Sequence, residues 1–413
     1  MKPNRGRGAT AGAMNFWQRA RVRRVMAGLF APVIVSLAAA SGARAADRIY
    51  WTNTGGETIS YAKLNDTGHG GNVNTTGAAA LDGPRGLAMD LATGKIYWAD
   101  SDSSDISFAD LNGSGNGGDL NTMGAYTTYP WGITIDPASG ELYWANWLGQ
   151  SISYAALNES GGGDLTTAAP VDDPAGVAID LAKGEIYWAD SGDDLISYAN
   201  LDGSGGGTLN TTGATVDDPS GVAIDPNNGR IYWTNGQGTD PISYAELNDS
   251  GGGGELKTGR ARHDFPEGLA IDPEAGRVYW ANGYSSTISY ADLNNSDKGG
   301  EISTVGATLP DEPSFPALLK KPLAQAAPKL SGKSRAGAKL SCSRGRWAPD
   351  LIGSFLYQEA VGFSYSWSRD GKKIHGAKKP TLKAKTGGSY TCTVTAGNEA
   401  GSTSATSQPH KVR

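Results

Sequence analysis

The sequence predicts an all-β protein, a six-bladed β-propeller followed by a small β-sandwich. Three observations predict it. A Tyr-Trp pair returns at Tyr50-Trp51, Tyr97-Trp98, Tyr143-Trp144, Tyr187-Trp188, Tyr232-Trp233 and Tyr279-Trp280, with spacings of 47, 46, 44, 45 and 47 residues, a period that belongs to solenoids and propellers. Around each copy, short β-prone runs alternate with Gly, Pro, Asn and Asp turns, and no long helical period appears. After the last copy a further strand-like run supplies what the first unit lacks, so that a ring closes.

The first 45 residues stand apart. They carry eight basic residues and no acid, then an apolar run from Met26 to Ala40 and Ala43-Arg44-Ala45. This is the pattern of a secretory signal peptide cleaved after Ala45. The 15-residue run, which contains Pro32, is short of the ~20 residues needed to span a bilayer, so no transmembrane anchor is expected. Arg23-Arg24 leaves a twin-arginine route open. The expected location is secreted or cell surface.

Removing the leader takes the formal charge from −6 to −14, and the remainder is divided. Residues 46–321 hold 13 basic and 38 acidic residues, whereas 322–413 hold 15 basic and 4 acidic. The acidic part argues against nucleic acid as a partner, because phosphate binding needs Lys and Arg. The basic part is open to contact with anionic cell-wall polymers or lipid surfaces, to docking on the acidic part, or to being an ordinary solvated surface.

Within the repeat, the unit that begins at Pro219 reads as four strands, at about 220–225, 230–235, 241–247 and 254–258. The first, Gly-Val-Ala-Ile-Asp, is small and apolar, as crowded strands near a propeller axis must be. The second carries apolar residues on both faces, which suits a sheet packed between two neighbours. The third varies at one position, Lys63, Asp110, Ala156, Asn200, Glu246 and Asp292, which is expected to face water. The first unit starts at Asp47 directly in its second strand. Its missing inner strand is supplied by 314–319, within Pro313-Ser314-Phe315-Pro316-Ala317-Leu318-Leu319, so the propeller is expected over 46–320 with no open edge. Pro316 departs from the other copies and leaves the register of this strand open.

The repeated Tyr-Trp-[Thr/Ala]-[Asp/Asn], with Pro-x-Gly-[Leu/Val/Ile]-x-[Ile/Met]-Asp before it and Ile-x-x-Ala-x-Leu after it, resembles the YWTD repeat of the low-density lipoprotein receptor class B family. That resemblance covers 47 to about 320. It implies a propeller that binds protein ligands on one face and has no catalytic activity. The chain departs from the receptors in lacking a neighbouring cysteine-rich module and in carrying Asn53, Asn146, Asn235 and Asn282 where Asp is usual.

Residues 321–330 are expected to be a linker and 331–413 a separate module. Cys342, Trp367 and Cys392 lie 25 residues apart in turn, and Tyr390 stands two residues before the second Cys. This pattern resembles an immunoglobulin-like domain, with a Cys342–Cys392 disulfide as its staple. On the chain-entropy model the bridge stabilises the module by about 4 kcal/mol.

Chemistry is sparse in the sequence. The Asp ending each inner strand recurs in one context per blade, and the Gly-rich tails offer one or two acids each; both read as turns rather than as metal sites. The four histidines are scattered, with no nucleophile elbow or metal-ligand spacing. No metal, no cofactor and no catalytic residue is assigned, and the expectation is a non-catalytic binding or adhesion protein. A metal-dependent propeller hydrolase or lactonase and a structural envelope protein are the alternatives. The repeat disagrees with itself in one slot, x of Pro-x-Gly: Arg85, Trp131, Ala175, Ser220 and Glu267, with Ser314 in the closing strand. Together with Trp147, Tyr126, Tyr129 and Tyr284 from neighbouring loops, these residues are expected to ring the channel mouth. The candidate ligand-binding face is Arg85, Trp131, Trp147, Tyr129, Glu267 and Tyr284, for a protein or glycan ligand, since aromatics bury much area at low entropic cost. The opposing reading is that Trp131 and Trp147 pack on each other as a filler of the rim.

Overall fold

The computed structural model describes residues 47–64, 70–79, 81–237, 241–308 and 310–413; the expected signal peptide lies outside them. Among the described residues the regular structure is almost entirely β. Among the described residues, six antiparallel sheets of the propeller each place an inner, a second, a third and an outer strand side by side. One such set is Pro219–Asp225, Arg230–Asn235, Ile242–Glu246 and Gly254–Glu255. The inner strands pack against one another in chain order, and the closing strand Pro313–Leu319 lies between Pro266–Asp272 and Pro84–Asp90.

The second strands explain why the sheets stack. In each, the Trp is fully buried, and the Tyr before it stacks on an aromatic of the third strand, as in Tyr50 on Tyr61 at 5.4 Å and Tyr97 on Phe108 at 5.7 Å. The varied position of the third strand is half-buried rather than open to water; in four of the six sheets a basic residue of the second strand, Arg48, Lys95, Arg230 or Arg277, stands opposite it. Arg230 pairs with Glu246 at 2.8 Å in this way.

All six inner strands have the same irregularity. Pro84 pairs with Asp100 and Leu87 with Trp98, so one extra residue bulges at the Pro-x-Gly corner. Glycine is required there by close approach: a Cβ on Gly132 would sit 2.6 Å from the Cα of Gly176, and one on Gly221 2.4 Å from the Cα of Gly268. The closing strand resolves the register of Pro316. Ser314 faces Thr52 and Ala317 faces Tyr50, which leaves Phe315 and Pro316 in the bulge, where no ladder partner is lost by lacking an N–H.

The C-terminal part is less separate than a linker and a module would suggest. Residues 321–330 include the strand Ala324–Ala326, paired with Arg346–Trp347, and lead into Leu330–Gly332, paired with Lys339–Cys342. A Pro- and Ala-rich composition reads as linker, but these short edges find partners. Two sheets then enclose Trp367, Leu340, Val394 and the Cys342–Cys392 disulfide, with a Cα–Cα distance of 6.3 Å. Tyr390 donates its hydroxyl to the Thr386 carbonyl at 2.8 Å.

Between those sheets in sequence, a segment returns to the propeller. Leu356–Tyr357 adds a parallel strand beside Pro313–Leu319. The 3-10 turn Ile352–Ser354 packs against four inner strands. Ser354 is fully buried and donates to the Ile224 carbonyl at 2.5 Å. Around it, Lys320 pairs with Asp272 at 2.9 Å, and Asn398 holds the Lys320 carbonyl at 2.7 Å. The end of the propeller where inner strands finish is thereby covered by the chain itself.

Candidate functional site at the channel mouth

The opposite end, where inner strands begin, holds the irregular slot. Arg85 and Glu267 come from inner strands separated by the closing strand, yet they pair at 3.1 Å over it, with side chains only 13% and 10% exposed. Ser314 of the closing strand donates its hydroxyl to the same Glu267 carboxylate. On its other side the Arg85 guanidinium lies 3.6 Å from the centre of the Trp131 ring, a cation–π contact. Trp131 then meets Trp147 at 5.1 Å and Tyr129 at 5.9 Å, and Tyr129 meets Trp147 at 5.7 Å. Five of the six expected face residues therefore form one continuous chain of contacts, Glu267, Arg85, Trp131, Trp147 and Tyr129. The three aromatics are half-buried by one another rather than freely exposed.

Tyr284, the sixth, does not join that chain. It stacks on Phe265 at 4.8 Å and is 76% exposed. Phe265 was not anticipated, although a signal existed. Each inner strand is preceded by a residue with positive φ, namely Gly83, Tyr129, Asp173, Asp218, Phe265 and Glu312. Gly and Asp tolerate that conformation, whereas a bulky aromatic there is strained. The repeat thus spends strain at Tyr129 and Phe265, each of which stacks on an aromatic from the loop after the second strand. These two pairs belong to sheets three apart in the ring and face the mouth from opposite sides.

Among the described residues, three buried donors in this slot make no hydrogen bond: Arg85 Nε, Trp131 Nε1 and Ser220 Oγ. Buried polar atoms are normally paired, so this is where the fold is least self-sufficient. Ala175, in the neighbouring slot, is buried. Tyr126 and Leu148 are exposed beside the cluster, at 64% and 60%. No three His, Cys, Asp or Glu side chains among the described residues gather as a metal site.

The carboxylates ending the inner strands act as turn acceptors: Asp90 Oδ1 takes the Ala92 N–H at 2.9 Å and Asp136 Oδ1 the Ala138 N–H at 2.8 Å. The Asp or Asn closing each Tyr-Trp motif has a different task. Asn146 Oδ1 accepts from Trp144 Nε1 at 3.0 Å and the Thr128 N–H at 2.9 Å, while its Nδ2 donates to Ser153 at 2.8 Å. Where Asp stands instead, burial pushes the carboxyl up, to about 7 for Asp100 and about 6 for Asp190.

No family model matches the chain, and no curated protein matches it. Solved structures do. A chain of a nidogen/laminin complex is similar at 18% identity and a TM-score of 0.54, over 66% of this chain and 98% of that one. A streptogramin B lyase structure is similar at 12% identity and a TM-score of 0.43, over 88% and 99%, and a hydrazine synthase of Kuenenia stuttgartiensis at 14% and 0.43, over 59% and 73%. The first likeness shows the propeller fold. The other two correct the expectation that the chain is not an enzyme: chains of similar architecture bear enzyme titles, so absence of catalysis does not follow from the repeat and is not retained. At these identities they assign no reaction to this chain.

Proposed function

We propose that the protein is an exported binding protein whose propeller mouth recognises a protein or glycan ligand. The observation that carries this reading is the aromatic and ionic cluster of Tyr129, Trp131, Trp147, Arg85 and Glu267, the place where an otherwise regular repeat departs from itself. Three further facts support it. Unpaired buried donors at Arg85, Trp131 and Ser220 suit a ligand rich in acceptors. Aromatic pairs on opposite sides provide rigid contact area around a concave centre. The other end of the channel is already covered by Ile352–Ser354.

In this reading residues 1–45 are a signal peptide, 46–320 form a closed six-bladed YWTD-type propeller, and 331–413 form an immunoglobulin-like module clasped to it through 349–358. Its basic surface contacts anionic cell-wall polymers. No helix among the described residues is long and apolar enough to cross a membrane, and the disulfide is compatible with an oxidising compartment. The nidogen/laminin structure is titled as a complex between proteins, which supports a protein as the first ligand class to test.

The test screens the chain from residue 46 against secreted proteins and wall glycans, beside a Trp131→Ala/Trp147→Ala variant shown to fold by its melting curve. Loss of a captured ligand in the variant is expected. Equal binding by both, or capture of nothing by either, removes the mouth as the binding face.

A further inference from the structure

The C-terminal module holds a second concentration of unused charge. A cleft of about 430 Å³ is lined by Arg369, Lys372, Lys373, Lys383 and Lys385, with one acid, Asp370. That acid takes the Ser389 N–H at 2.8 Å and, within the cleft, lies 3.7 Å from Arg369, not beside the lysines. Arg369 also donates to Thr386. Among the described residues, none of the four lysines pairs with a carboxylate, and all four are exposed.

The strand ladders make the arrangement costly. Arg369 stands directly opposite Lys372, and Lys339 directly opposite Lys383. Like charges facing across an antiparallel pair destabilise it. The first pair is offset only by Asp370, 3.7 Å from Arg369, and three of the four cations, Arg369, Lys372 and Lys383, line one concave site. An anion seated there would relieve the repulsion.

The shape narrows the class of anion. The volume falls among pockets of ~300–1,000 Å³ that hold small ligands, so it admits a few units of a single polymer chain and not a duplex. A flat bilayer does not enter a concavity. The aromatic of the cleft, Tyr390, is only 2% exposed and offers no face on which a base can stack, as single-stranded nucleic acid requires. We propose that this cleft binds a segment of anionic polysaccharide, whose carboxylate, sulfate or phosphate groups are met by Lys372, Lys373, Lys383 and Lys385. The proposal rests on the reading of the module as a contact for anionic polymers and locates that contact.

The test uses the full chain from residue 46 and measures affinity for heparin, polygalacturonate and uncharged dextran at two salt concentrations. Oligo-dT and phosphatidylglycerol vesicles are run in parallel. The charged glycans are expected to bind and dextran not. Lys372→Glu/Lys383→Glu should weaken binding at least tenfold and lower the slope of log affinity against log salt by about two, one per lost contact. Lys333→Glu/Lys411→Glu, which changes net charge equally on exposed positions outside the cleft, should change affinity less than threefold. The first variant should also melt no lower than the parent, because each Glu faces a cation across the ladder. Equal weakening by both variants would leave the module a polyanion contact but overturn the cleft. Binding of none of the charged glycans would overturn both. Tighter binding of oligo-dT or vesicles, or salt-sensitive self-association with the acidic propeller, would overturn the choice of polysaccharide.

Discussion

The Asp or Asn that follows each Tyr-Trp motif shows how one side chain can be read from its neighbours. Asn146 links Trp144 to Ser153, and Ser153 donates onward to Asp164 at 2.6 Å. At the equivalent place Asp100 takes the Trp98 indole at 2.8 Å, and Ser107 donates to Asp119 at 3.0 Å, so an amide at 100 would complete the same relay. Burial raises the Asp100 carboxyl to about 7 against an ordinary value of 3.8. The folded chain therefore binds more protons than the unfolded one between those values. Its contribution is full below about pH 4 and is lost as pH rises toward 7. Asp100→Asn should raise stability by about 1–2 kcal/mol at pH 7.5 and change nothing at pH 4, a difference that urea titrations at the two values would reveal. At the mouth, Arg85→Met alone should destabilise by about 2–4 kcal/mol because it strands the Glu267 carboxylate, and Arg85→Met/Glu267→Gln should recover part of that loss. Simple additivity in the double-mutant cycle would show that the pair is not coupled.

At the scale of elements, the covering segment is the feature with most consequence. A Cβ on Gly353 would lie 2.4 Å from the Ile179 carbonyl oxygen. Gly353→Ala should therefore cost about 1–3 kcal/mol by overpacking and lower the melting temperature; a neutral result would mean that the segment does not seat against the inner strands. Nothing in Asp350-Leu351-Ile352-Gly353-Ser354-Phe355 announces this role, because the contact is long-range and without period. The repeat was legible for the opposite reason: Tyr, Trp and the Pro-x-Gly corner recur once per blade, and each recurrence answers the same packing demand. The same regularity exposed Arg85, Trp131 and Glu267 as exceptions. What pattern alone did not reveal was their mutual contact, or Phe265, whose signal is a backbone conformation disguised as an ordinary residue before proline.

For the whole molecule, the closing strand and the covering segment bind the two parts into one unit. Pro313–Leu319 pairs with the first described strand on one side and with Leu356–Tyr357 on the other. Propeller and C-terminal sheets should consequently unfold in a single cooperative transition, and reducing Cys342–Cys392 should shift that whole transition rather than release a separate one at lower temperature, as calorimetry with and without reductant would show. Charge is divided within this frame, with 38 acidic and 13 basic residues in 46–321 against 4 and 15 in 322–413. The most direct measurement of the mouth as the ligand face is hydroxyl-radical footprinting of the chain with a captured ligand. Tyr284, Tyr126 and Trp147 should be protected, while Leu181, exposed at the covered end beside Ile352, stays as reactive as in the free chain. Protection of Leu181 with Tyr284 and Trp147 unchanged would contradict the account.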